Sequence, residues 1–185
     1  MTGTPGTGKT YLAKRIASSI KNSSIIELND LVGRHKLFTK KDKFGTKIVQ
    51  LGRLNTVLAS ELKKNKSKVI VIVGHLAPEL RYKSNIAIVT RSGLEKLSRR
   101  LKERKYPDEK SAENLASEAL DYCGLKMLEN CRETYEVETD SDKNRILSYL
   151  KLLSSGKKTK KPKRKSINKF SDLLKLVKNG NRYRL

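Results

Sequence analysis

The stretch MTGTPGTGKTYLAKRIASSI holds Gly3, Gly8, Lys9 and Thr10 at the spacing G-x-x-x-x-G-K-T. That spacing builds a loop whose main-chain N–H groups turn inward around a phosphate chain. Glycine permits the tight turn, lysine offers a point charge to the outer phosphates, and the threonine hydroxyl offers a ligand to Mg²⁺. Leu12, Ile16 and Ile20 follow at helical spacing with Ala13 and Ala17 beside them. They predict about three turns of helix, whose N-terminal dipole adds to the attraction for phosphate. The plainer alternative is a glycine-rich turn that caps a helix. A phosphate loop normally hangs from a buried strand, yet only Met1 and Thr2 precede it here. The expectation is a sheet short of its central strand and a loop short of an anchor, as in a truncated chain.

The remaining pattern alternates strands with helices. KVIVIVGH is a continuous β-branched run, as expected of a strand covered on both faces. SSIIEL, SNIAIVT and TYEVET read as further strands, with another over residues 47–51. NDLVGRHKL reads as a short helix capped by Asn29 or Asp30, and RLNTVLASELKKN as an amphipathic one. SGLEKLSRRLKERKY predicts a helix with Ser92 as N-cap and Glu95 completing a capping box. PDEKSAENLASEALDYCGLKMLEN predicts one helix with Pro107 near its first turn, and SDKNRILSYLKLL the last helix of the core. Alternation of this kind implies an α/β fold, a parallel sheet covered on both sides.

Charge divides the chain. The net charge is +23, and residues 154–185 carry 12 basic and 1 acidic residue, or +11. So large a positive charge attracts polyanions, nucleic acid first and anionic membrane surface second; a generally basic proteome is the bland alternative. Residues 154–166 read as a basic linker and 167–180 as a short amphipathic helix closed by Gly180, followed by a tail to 185. Cys123 and Cys131 form no zinc pattern and read as buried thiols of a reducing compartment. With no apolar run near the ~20 residues of a bilayer span and no signal peptide, the expectation is a cytoplasmic protein without a membrane partner.

Two further groups are candidates for chemistry. Arg99, Arg100 and Arg104 near a helix end, extended by Lys105 and Lys110, could neutralise migrating phosphoryl charge as a mobile lid. Alone, such a group is more often a solvated helix end. His75 follows the strongest strand, at the sheet end where open α/β folds bind ligands. A lone histidine is as often structural. Tyr11 could border a nucleotide or pack on its helix, and His35 has no evident task.

TGTPGTGKT, ELNDL, VIVGHLAPEL, IVTR and RLKERKYPDEKSAENLASE occur together in an order that resembles the adenylate kinase isoenzyme 6 type family. The likeness covers roughly residues 1–153. It implies a three-layer P-loop nucleoside monophosphate kinase fold using ATP and Mg²⁺, with AMP or another nucleoside monophosphate as acceptor. It also implies ATP hydrolysis and a role in small ribosomal subunit maturation, with rRNA or a ribosomal protein as partner. Carried onto this chain, the ATP contacts are Gly3, Gly6, Gly8, Lys9, Thr10 and Tyr11, with Mg²⁺ on Thr10. The acceptor segment spans about 29–51 and the lid about 103–113. Arg104 reaches ATP, and Arg91 contacts phosphate; Lys9, His75, Arg91 and Arg104 form the catalytic set. The chain departs from that pattern where Val73 stands at a usually acidic position, where the acceptor segment reads TKKDKFGTK, and where Lys105 replaces a lid glycine.

Overall fold

The structure, a computed structural model, describes residues 1–41, 45, 47–131 and 133–163. The helix expected over 167–180 lies outside the described residues. Two parallel strand pairs form the frame. β1 (Ser23–Glu27) pairs with β4 (Val69–Val73), and β5 (Ala87–Thr90) pairs with β6 (Thr134–Val137). Among the described residues, Met1 and Thr2 bridge the two pairs. The Met1 nitrogen donates to Ile72 O at 2.6 Å and Gly74 N–H to Met1 O at 3.2 Å. On the other side Thr2 N–H donates to Ile88 O at 2.9 Å and Thr90 N–H to Thr2 O at 2.8 Å. These are the bonds of a parallel ladder. The two residues therefore stand where a central strand would run, and the order across the sheet is β1–β4–(Met1, Thr2)–β5–β6. Below Met1, a cleft of about 540 Å³ continues between β4 and β5, lined by Ile16, Val71, Ile88 and Leu150 among others.

Helices cover both faces. On one, Leu12, Ala13 and Ile16 of α1 (Lys9–Ser19) and Ile146 and Leu147 of α7 (Asp140–Ser154) bury against Val71, Val73, Ile88 and Val137. On the other, Leu28, Leu31 and Val32 of α2 (Leu28–Arg34) and Leu54 and Leu58 of α3 (Leu51–Lys64) form a cluster with Ile26, against which Ile70 and Ile72 pack. The VIVIV run thus sends alternate residues into two separate cores, which explains why it shows no polar alternation. Val89 repeats the arrangement on β5: it faces Cys123 and Met127 of α6 (Tyr122–Asn130), while Ile88 faces the first core. A further cluster of Leu94, Leu97, Leu101 and Leu115 joins α4 (Leu94–Glu103) to α5 (Asp108–Ala119). Among the described residues no helix is long and apolar enough to cross a membrane.

Three local expectations need correction. The stretch from Pro107 to Asn130 is two helices, because Asp121 adopts φ +56° and its carboxylate caps α6 by accepting from Gly124 N–H. Ser92 is not the cap of α4: Gly93 precedes that helix, and the Ser92 N–H is given to Glu118. The basic stretch before α3 carries a second hairpin strand, β2 (Phe38–Lys41), antiparallel to β3 (Lys47–Val49). The capping box lies instead at α7, where Thr139 accepts from Asp142 N–H at 3.1 Å and Asp142 accepts from Thr139 N–H at 3.1 Å. Thr139→Ala is expected to cost about 1 kcal/mol of stability, read as a lower midpoint in urea at unchanged slope.

Candidate active site

The loop before α1 and the C-terminal ends of β1 and β4 open onto one cavity of about 480 Å³. Its wall holds Gly3, Gly6, Gly8, Lys9, Thr10 and Tyr11 from the loop and helix, Asn29, Val73 and His75 from the strand ends, and Arg104 and Lys110 from the opposite side. The loop needs its glycines. Gly3 has φ +141° and approaches β5 so closely that a Cβ would collide with the Thr90 carbonyl oxygen. Gly6 has φ +95°, and a Cβ there would lie 2.8 Å from Leu97 Cδ1. Gly8, at φ +96°, borders open space, so only its backbone conformation selects glycine.

Lys9 folds back across this loop. Its ammonium donates to Gly3 O at 2.8 Å and Thr4 O at 3.0 Å. Burial lowers its pKa to about 8; the carboxylate of Glu118 opposes that shift and the charge of Arg104 adds to it. Burial, then Lys9 and Lys110, likewise lower the His75 pKa, so its imidazole is neutral near pH 7. His75 can donate or accept a hydrogen bond there but supplies no cation.

The arginines divide. Arg104 ends α4 and lines the cavity, and the next residue, Lys105, sits at φ +57° where glycine is favoured. Arg100 does not line the cavity; its Nη1 donates to Gly6 O at 2.9 Å and props the loop from behind. Arg91, expected to contact phosphate, is elsewhere. It is 2% exposed and outside the cavity wall. Its guanidinium donates to Glu118 Oε1 and Glu136 Oε2, both at 2.9 Å, and to Asp121. Three carboxylates around one cation leave it no direction from which to meet a ligand.

Sequence reasoning missed several wall residues. Asn114 and Ser117 follow Lys110, a residue of the basic group expected from the sequence, at i+4 and i+7 on α5, and this polar helical stripe faces the cavity. Glu27, Tyr106, Tyr122 and Cys123 also line it, and only the pairing of distant elements brings them there. Glu118, also missed, accepts from Thr4 Oγ1 at 2.6 Å and so ties α5 to the loop. A cradle of loop amides backed by Lys9, Arg104 and Lys110, with a hydroxyl at Thr10, suits a magnesium polyphosphate.

Residues 1–121 match the family described as "AAA domain". A protein of Methanosarcina acetivorans named "Putative adenylate kinase" is 33% identical over 144 residues, covering 75% of this chain and 75% of its own. One of the same name from Methanosarcina mazei is 30% identical over 173 residues, covering 81% and 86%. The chain belongs to the P-loop nucleoside monophosphate kinase family. A shikimate kinase from Bacteroides thetaiotaomicron shares the fold at a TM-score of 0.50 and 17% identity, covering 83% of this chain and 95% of that one.

In this family member the charge on Lys9 should leave a thermodynamic trace. Folded and unfolded chains both carry it below about pH 8, where burial penalises the folded state. Between pH 8 and the unfolded value of 10.5 the folded chain has already lost that proton, and the penalty is relieved. Lys9→Met is therefore expected to be more stable than the parent at pH 7, with the difference shrinking by pH 10, as measured by chemical denaturation without nucleotide.

Proposed function

We propose that this kinase transfers the γ-phosphoryl group of ATP to AMP or a related nucleoside monophosphate. The observation that carries the reading is the single cavity in which the phosphate loop, Arg104 and Lys110 converge. Loop amides and Lys9 hold the triphosphate, and the Thr10 hydroxyl holds Mg²⁺, which when bound neutralises β- and γ-phosphate oxygens. Tyr11 borders the nucleotide at the start of α1. The acceptor docks against residues 29–51, where Asn29 reaches the cavity wall. Residues 103–113 act as a lid that brings Arg104 and Lys110 over the phosphates and excludes water. An acceptor phosphate oxygen then bonds to the γ-phosphorus as the bond to the bridging oxygen breaks, leaving two diphosphates. His75 contributes as a neutral hydrogen-bonding group. The chain's part is positioning and charge neutralisation, with no covalent intermediate.

Diphosphate formation from Mg-ATP with AMP, dAMP and CMP tests this directly. ADP production is expected to rise above the ATP-only rate with at least one acceptor, and to fall about 10²–10³-fold in Arg104→Ala. No acceptor-dependent ADP would overturn the kinase reading.

A second reading has its own support. Residues 154–185 carry +11, and Lys157, Lys158, Lys160, Lys161 and Lys163 are exposed. That charge fits an ATP-hydrolysing switch in small ribosomal subunit maturation, with rRNA or a ribosomal protein as partner. RNA affinity should fall steeply with salt, and deletion of residues 154–185 should flatten the slope. An unchanged slope would remove the tail from the reading.

A further inference from the structure

Glu27 ends β1 and stands beside Val73 in the parallel register of β1 with β4. It lines the phosphate cavity and is, among the described residues, the only carboxylate in the wall. No protein cation pairs with it among the described residues: Lys9 spends its ammonium on Gly3 O and Thr4 O, and no salt bridge involves Glu27. Thr10 shares the same wall and its hydroxyl likewise has no hydrogen-bond partner among the described residues.

An uncompensated carboxylate facing a polyphosphate repels it. The repulsion becomes attraction only when a cation lies between the two. Magnesium sites in phosphate-loop enzymes combine the loop hydroxyl with one acidic side chain for this reason. At the same register on the neighbouring strand, where such an acid could also stand, is the apolar Val73. We propose that Glu27 is the acidic partner of Thr10 for the divalent cation in this site. The consequence is a nucleotide affinity that depends on the metal through this one carboxylate. The inference rests on the kinase reading for the location of the triphosphate, but it concerns metal binding rather than turnover.

Mn²⁺ binding followed by electron paramagnetic resonance, with β,γ-methylene-ATP as the nucleotide, tests it on the full chain. Glu27→Gln keeps the side-chain shape and removes the charge. Its ternary complex is expected to hold Mn²⁺ at least about tenfold more weakly, as loss of one anionic contact to a divalent ion requires. Affinity for the metal-free analogue, measured by calorimetry in EDTA, is expected to stay level or rise, because a repelling charge is gone. Glu27→Asp should recover part of the Mn²⁺ affinity. Equal Mn²⁺ affinity in Glu27→Gln and the parent would overturn the assignment. So would an equal loss of metal-free and metal-bound affinity, which would mark Glu27 as merely structural. If the parent itself holds neither the analogue nor Mn²⁺ in its presence, the kinase reading falls and this assignment falls with it.

Discussion

The phosphate loop keeps its shape because Glu118 holds it to the sheet. One carboxylate oxygen accepts from the Thr4 hydroxyl in the loop, and the other accepts from Arg91 Nε and Ser92 N–H at the end of β5. Arg91 extends the connection to Glu136 on β6 and to Asp121 between α5 and α6. A charge buried this deeply is tolerated only when its donors are met, and removing one partner would strand the rest. Burial raises the Asp121 pKa against the pull of Arg91.

The same junction fixes the end of α5. α5 ends at Ala119, next to the fixed Glu118, while its beginning carries Lys110 toward the cavity. α4 supplies Arg104 from the other side and Arg100 to the loop carbonyl of Gly6. Between them, Lys105 holds a left-handed conformation that costs an L-residue on the order of 1 kcal/mol.

Much of the architecture was legible because buried parallel strands and phosphate loops leave local marks. VIVIV announces its two covered faces, and G-x-x-x-x-G-K-T announces its turn. The helix break at Asp121 was not legible, since EALDYCGLK continues a helical rhythm and only the pull of Arg91 and the capped Gly124 N–H interrupt it. Ser92 matches a cap by spacing, yet Glu118, from a helix 26 residues away, claims its N–H.

The amino-acid order by itself determined the loop, its glycines, the helix that follows and the alternation that yields a covered parallel sheet, because each depends on residues within a few positions of one another. Tertiary structure alone decided which charges face the cavity. Arg91 and Arg104 look alike along the chain, but one is enclosed by three carboxylates and the other lines the wall. Glu27 reaches the cavity through its register with Val73, 46 residues on. Long-range pairing brings such residues together, and no local pattern encodes it.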